Sequence, residues 1–196
     1  TGLHQGGQAL GRISSAEYSW AAGIHSYISS SKWEVKLSHI SRSFGDLEAG
    51  RNIGRQFYTG YDSHASEVQI HHKLGDDAQL MLGFQNTLLD DVPRTHKTIH
   101  SMTWEGLTPG SELWRKLDQE RQLYYSKLSW GNQGGLMDKG VITVSFHQHS
   151  QERNRMMKPT KGGDYQFFDL DDFGISARFE AEEVWGGTFA YGTEWH

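Results

Sequence analysis

Apolar and polar side chains alternate along most of this chain, and this period of two constrains its fold more than any other feature. Ile142, Val144 and Phe146 point one way in an extended strand, and the polar side chains between them point the other way. Because successive side chains of a β-strand project to opposite faces, such segments predict strands with one apolar and one polar face. The same alternation recurs in residues 20–28, 33–38, 67–74, 79–88 and 173–180.

This pattern predicts an all-β chain, an antiparallel up-and-down meander of about nine long strands. Many of these strands reach about ten residues, above the usual five to six of globular proteins. A tilted strand of a membrane barrel needs about 9–11 residues, so the lengths favour a partial transmembrane β-barrel. The predicted strands span 7–14, 17–29, 32–44, 63–74, 78–90, 119–130, 140–152, 168–181 and 187–196.

The predicted connections between strands alternate between short and long. Tight turns on one side and long loops on the other are typical of outer-membrane barrels, where the long loops face outward. The brief connection at 14–17 departs from this pattern, and we place it on the outer side. Short connections are expected at 29–32, 75–78, 131–139 and 182–186, and long ones at 45–62, 91–118 and 153–167.

Three tryptophans, Trp33, Trp130 and Trp185, each lie beside a predicted short turn. Tryptophan favours the membrane–water interface because its ring is apolar while its N–H stays wet. The positions therefore favour an aromatic girdle. The alternative is that these are large core residues near strand ends.

Composition excludes several classes of protein. The formal net charge is −5, with 19 Lys and Arg against 24 Asp and Glu, so we expect no nucleic-acid partner. Without cysteine, neither a disulfide nor a thiolate metal site can form. The sequence lacks the nucleophile-elbow, P-loop, zinc-protease and EF-hand motifs. We therefore expect no enzymatic activity, no catalytic residues and no cofactor.

Eleven histidines raise the question of a metal or haem site. His71 and His72 are adjacent, so a strand points them to opposite faces. His147 and His149 share a face and could ligate one metal together. Hydrogen bonding to neighbours is the favoured interpretation because no third ligand is suitably spaced, and we predict no metal site.

The predicted long loops contain the candidate ligand-binding residues. Arginine forks suit carboxylate or phosphate groups, and tyrosine offers flat contact area at modest entropic cost. These side chains could receive an anionic chelate or haem, although solvated loop residues and interface aromatics are the simpler interpretation. The candidates are Arg51, Arg55, Tyr58, Tyr61 and His96.

Several segments, taken in order, resemble the barrel of TonB-dependent outer-membrane receptors. They are SRSFGDLEAGRNIGRQFYTG (41–60), the following Gly-Tyr-Asp, DVPRTHKT (91–98), DQERQLYY (118–125) and FAYGTEWH (189–196). The resemblance implies a 22-stranded barrel closed by a plug domain, located in the outer membrane of a Gram-negative-type cell. It also implies uptake of a scarce nutrient such as an iron chelate (siderophore), haem or cobalamin, with energy delivered by the TonB system through the plug.

We therefore expect residues 1–196 to be one portion of such a barrel, with outer-membrane lipid as a partner and with the plug and remaining strands absent. Nine strands do not suit a complete bacterial barrel, where strand number is even. A porin-like barrel without a plug is one alternative. A soluble all-β carbohydrate-binding module is another, in which the apolar stripes would be buried against a second sheet.

Overall fold

The computed structural model describes residues 2–50, 54–101, 103, 106, 108–157, 161–183 and 186–196. Its strands form one nine-stranded antiparallel sheet and a separate two-stranded sheet. The strands are β1 (His4–Ser14), β2 (Ser19–Ser29), β3 (Trp33–Phe44), β4 (Leu47–Ala49), β5 (Gly54–Gln56), β6 (Tyr61–Lys73), β7 (Ala78–Pro93), β8 (Trp114–Trp130), β9 (Lys139–Met156), β10 (Gly163–Glu180) and β11 (Ala190–Trp195).

The large sheet is an up-and-down meander in the order β1-β2-β3-β6-β7-β8-β9-β10-β11, so each strand pairs with its neighbours along the chain. This confirms the predicted all-β fold of about nine long strands. The sheet does not close into a barrel. The described residues contain no α-helix, only 3₁₀ turns at Thr95–Lys97 and Gly135–Met137. None of their helices has the length and apolar character needed to cross a membrane.

The strand register confirms the predicted side-chain alternation. Ile70 pairs with both Val35 and Leu82, and Val144 pairs with Ile175, so these residues share one side of the sheet, the apolar face. Residues between them form the other side, the polar face. On that face the carboxylate of Glu67 accepts hydrogen bonds from Gln69 at 2.7 Å and Gln85 at 2.8 Å.

Four connections meet at one end of the sheet, the loop end, and four at the other, the turn end. The loop end holds residues 15–18, 45–60, 94–113 and 157–162, and the turn end holds residues 30–32, 74–77, 131–138 and 181–189. The prediction that the brief first connection lies on the side of the long loops is confirmed. The small β4–β5 hairpin inside connection 45–60 was not predicted.

The prediction of a long loop at 153–167 is wrong. Strand β9 continues to Met156 and β10 begins at Gly163, so most of that segment is paired strand. Complementary cross-strand pairs favour the extension, since Arg155 lies opposite Asp164 and both carry hydrogen-bonding side chains. Strict alternation of short turns and long loops therefore fails at this connection, which is shorter than 181–189 at the turn end.

The nine-stranded sheet has almost no apolar core. Ala181 is the one buried apolar residue in the described part of the chain, and Leu82 and Ile175 remain more than 40% exposed. The chain exposes 13358 Å², whereas a globular protein of 22.3 kDa exposes about 9,400 Å². No second sheet covers the apolar face within the described residues, so the sandwich alternative does not describe this fold.

Cavities lie against both faces of the sheet. One of about 410 Å³ lies against β1, β2, β3, β6 and β7, and most of its lining comes from polar-face positions such as Gln8, His25 and Gln85. Another of about 430 Å³ lies on β1–β3, mostly against apolar-face positions such as Ile28 and Val35.

Candidate functional site

The apolar face carries a sharply bounded band on β7–β10. Its boundary toward the loop end is an aromatic row, in which Phe84 pairs with Tyr124, Tyr124 with Phe146 and Phe146 with Phe173. Ring centroids are 4.8 Å apart for Phe84 and Tyr124. The next row toward the loop end is entirely polar: Asn86, Gln122, Gln148 and Asp171.

A second aromatic row bounds the band at the turn end. Trp130 packs 5.9 Å from Phe179, which lies 5.3 Å from Tyr191. Trp130 donates its indole N–H to the carbonyl of Met137 in the adjoining turn at 3.2 Å. Trp33 lies at the same end, stacked on His72 at 3.6 Å. Trp33 and Trp130 thus lie beside short turns, as predicted, whereas Trp185 lies outside the described residues.

The band has an aliphatic centre. Between the aromatic rows the face presents mainly Leu80, Leu82, Leu128, Ile142, Val144, Ile175 and Ala177. From Trp130 to Tyr124 it extends about 20 Å along the strand. This is somewhat shorter than the roughly 25 Å apolar band of outer-membrane barrels.

The band reaches further toward the loop end on β2 than on β10. On β2 the apolar positions extend to Trp20, six residues beyond Ser26, which the register aligns with Phe173 of β10. On β3 and β6, which lie between them, the apolar positions end in that same row, at Leu37 and Val68. The extension is therefore confined to β2 and its partner β1, where Ile13 lies opposite Trp20.

The band is thinnest on β3 and β6, where polar residues occupy the apolar-face positions between Leu37 and the loop end. There, His39 pairs with Ser66 through a hydrogen bond of 2.8 Å, and Ser41 pairs with His64 at 3.0 Å. These cross-strand bonds satisfy the ring and hydroxyl groups within the sheet.

A cavity of about 900 Å³ lies at the loop end, between the long connections 45–60 and 94–113. Tyr58 and Tyr61, two of the predicted ligand residues, line it. Tyr58 holds a left-handed backbone conformation with φ of 62° and places its ring 4.3 Å from that of His100. His100 also lines the cavity, and no sequence pattern distinguishes it from the other loop histidines.

The other loop candidates do not line this cavity. Arg55 lies near Tyr18 and Phe57, with its guanidinium 5.4 Å from the Phe57 ring centroid, and it pairs with Asp46 at 3.2 Å. His96 is exposed in the middle of the 3₁₀ turn Thr95–Lys97. Arg51 lies outside the described residues. The structure therefore brings together only the two tyrosines.

Carboxylates dominate the charge around the loop-end cavity. Lys116 contacts Asp91 at 2.7 Å, and Arg115 is paired with Glu112. Its acidic lining consists of Asp46, Asp62, Asp91 and Asp118. A cavity with this balance does not attract an anionic chelate.

Asp46 closes the first long loop. Burial raises the pKa of Asp46. The backbone N–H groups of Thr59 and Gly60 and the Arg55 guanidinium together lower it by more, so the pKa lies below its ordinary value. The N–H of Thr59 donates to this carboxylate at 2.9 Å. The charged form of Asp46 therefore fastens the start of the loop to its end.

A buried ion cluster holds the second long loop. Glu112 and Arg115 are only 4% and 7% exposed, and Arg115 donates to both carboxylate oxygens of Glu112, at 2.9 and 2.5 Å. Arg155 of β9 reaches the same carboxylate at 3.3 Å and also pairs with Asp164 of β10. Burial raises the pKa of Glu112, and the two guanidinium groups lower it by more.

The two histidines on β9 lie side by side on the polar face. His147 and His149 lie on the polar face as predicted, with stacked rings whose centroids are 6.2 Å apart. His149 is hydrogen-bonded to Gln119 at 2.5 Å. No group of three or more potential metal ligands occurs in the described ranges. His71 and His72 point to opposite faces, as predicted.

The sequence matches no model of a known protein family, and no curated protein is significantly similar to it.

Proposed function

We propose that this chain forms part of the wall of an outer-membrane β-barrel, and that this barrel belongs to a TonB-dependent receptor for a scarce nutrient such as an iron chelate or haem. The observation that supports a location in the membrane is the exposed apolar band between two aromatic rows. In water this surface, left without a covering layer, would drive association. In a bilayer, lipid covers it.

Two further observations support a barrel wall. The face opposite the apolar band carries charged and amide side chains, as expected of a wet lumen. The sheet order is a simple meander, the topology of outer-membrane barrels.

The receptor assignment rests on the sequence resemblance and on the asymmetry between the sheet ends. The loop end holds connections 45–60 and 94–113, with a hairpin and a buried ion cluster that order them. Ordered external loops are the part of a receptor that contacts ligand. The TonB system would act through the plug domain, and the ligand would be a small molecule.

A porin-like barrel is the second candidate. It shares the apolar band and the wet lumen, and it differs in lacking a plug. A plug domain of about a hundred residues, encoded next to this segment in the intact gene, would decide for the receptor. An intact barrel without one would decide for a porin.

Two neighbouring arginine substitutions test the membrane part in the intact protein. Val144 lies on the apolar face at mid-band and Ser145 on the polar face. Val144→Arg should weaken membrane assembly by about 2–4 kcal/mol because the charge enters hydrocarbon. Ser145→Arg should be far milder because its side chain enters the lumen. Assembly is measured as the folded fraction in outer-membrane preparations, and equal tolerance at both positions would contradict the proposal.

A further inference from the structure

Charge is divided between the two faces of β8–β10 in the part nearest the loop end. The apolar face carries carboxylates beyond its aromatic row, whereas the polar face carries mainly cations and amides at the same level. The polar-face carboxylate there is Asp172, which lies opposite His147 and 3.6 Å from the ring of His196. The apolar-face carboxylates are Asp118, Glu120, Glu152, Asp169 and Asp171, and the polar-face cations and amides are Gln119, Arg121, His147, His149, Gln151 and Arg153. We name the second set the inner cationic patch.

We propose that the inner cationic patch binds a small, multiply anionic ligand that presents carboxylate or phenolate oxygens. This inference rests on the proposed function, because it treats the polar face as the lumen of a receptor. It names the class of ligand that such a receptor would admit.

The two arginines of the patch are not neutralised by carboxylates. In the described part of the chain Arg121 is exposed and makes no ion pair. Arg153 bonds the amide oxygen of Gln166, and its Nε is buried without a hydrogen-bond partner. Their charge is therefore available to a ligand. By contrast, Arg115 and Arg155 nearby are compensated by the buried ion cluster.

The spacing of the patch suits a compact chelate. Arg121 lies directly opposite His149, and Arg153 lies two pleats further toward the loop end. Four residues of strand separate these levels, about 13 Å. The pair Gln119 and Gln151 lies between them. A ligand lying on the patch would meet a guanidinium at each end and amide donors between them.

The surroundings of His149 favour an anion over a cation. The ionisable groups that act on this ring are Arg121 and His147, both positive when charged. The ring of Phe168 packs edge-on at 5.0 Å and adds flat apolar contact. Arginine is the preferred partner of planar oxyanions because its fork of N–H donors matches their geometry.

Anionic lipid head groups do not fit this patch. The lipid side of the wall is the apolar face, and at the level of the patch that face carries only the acidic set named above among its charged groups. Like charges repel there. A soluble small molecule entering the lumen is the ligand that the arrangement accepts.

The test uses the intact receptor, purified in detergent, with two ferric complexes of similar size as probes. One is a ferric tris-catecholate, which is anionic, and the other a cationic ferric trihydroxamate. Binding is measured by quenching of tryptophan fluorescence. We expect the anionic complex to bind more tightly, with an affinity that falls as salt rises. Arg121→Glu combined with Arg153→Glu should weaken its binding at least tenfold.

Arg178→Glu is the matched control. Arg178 lies on the same polar face at the turn end, is 71% exposed, and pairs with Glu180, so its reversal should leave binding unchanged. If the double glutamate variant does not assemble, the Arg121→Gln and Arg153→Gln variants replace it, with the same expected direction.

Preference for the cationic complex, binding of neither, or equal binding by patch and control variants would overturn the inference while leaving the receptor proposal standing. Failure of the unaltered protein to assemble in the outer membrane would refute the receptor proposal itself. The two outcomes are read from separate measurements.

Discussion

At the residue scale, aromatic rings lie over glycines at several cross-strand pairs of the sheet. A glycine exposes its backbone, and a flat ring on the opposite strand covers it, an arrangement that rescues the weak packing of glycine in strands. In each case the two residues are direct cross-strand partners. The pairs are Tyr27 over Gly6, Tyr125 over Gly83 and Trp130 over Gly140.

The pair of Gly83 and Tyr125 gives a prediction. A Cβ at position 83 would lie 2.1 Å from the Tyr125 ring, so Gly83→Ala must displace that ring. Tyr125 would also lose its 3.4 Å hydrogen bond from Gln69. We expect a loss of about 1–3 kcal/mol, the range for overpacked sites, measured from urea unfolding of the intact protein in detergent.

Gly11→Ala is the control for this substitution. Gly11 also lies within a strand, and a Cβ there meets no atom within 4 Å. The control should change stability by no more than about 0.5 kcal/mol. Equal effects of both substitutions would show that the ring over Gly83 does not matter.

The sequence predicted side-chain direction well at this scale and side-chain contacts poorly. A period of two fixes the face of each residue, which is why His147 and His149 were placed together. Contact across strands depends on register, which no local pattern specifies. Tyr58 and His100 meet only because two loops fold toward each other.

At the scale of elements, the sequence predicts the ends of strands poorly. Strands β8, β9 and β10 reach 17 and 18 residues, well beyond their predicted bounds. Alternation of hydrophobicity marks the part of each strand that carries the apolar band. Beyond it both faces are polar, so residues 153–156 carry no signal that distinguishes strand from loop. Cross-strand charge pairs extend the strands there.

The anchor of the second long loop gives an element-scale prediction. Glu112→Gln removes the charge that compensates buried Arg115, which should cost about 3–5 kcal/mol locally. We expect faster amide hydrogen exchange throughout 94–113, whereas the apolar band on the adjoining strands β7 and β8 keeps its protection.

Glu48→Gln provides the comparison for that experiment. Glu48 is exposed on β4 in the other long loop and, within the described residues, makes no ion pair, so its substitution should leave exchange in 94–113 unchanged. Unaltered exchange in the Glu112→Gln variant would mean that the loop is held by other contacts.

At the scale of the whole molecule, the described residues form one broad sheet with almost no apolar core. Hydrophobic burial between layers contributes almost nothing there, and the backbone hydrogen bonds of the sheet hold the strands together. Strands β1 and β11 each leave one edge without a partner in the sheet, and such edges can pair with further strands. The up-and-down order and the two faces were predictable from alternation alone, whereas the extent of the apolar band on each strand required the register.

Lipid contact on one face and water on the other is the central claim, and a single-cysteine scan tests it most directly. The chain contains no cysteine, so residues 141–147 can each be replaced and spin-labelled in turn. In bilayers of the intact protein, labels at 142, 144 and 146 should collide mainly with oxygen. Labels at 143, 145 and 147 should collide mainly with a water-soluble nickel chelate. Water-like collision rates at every position, without a period of two, would contradict the account.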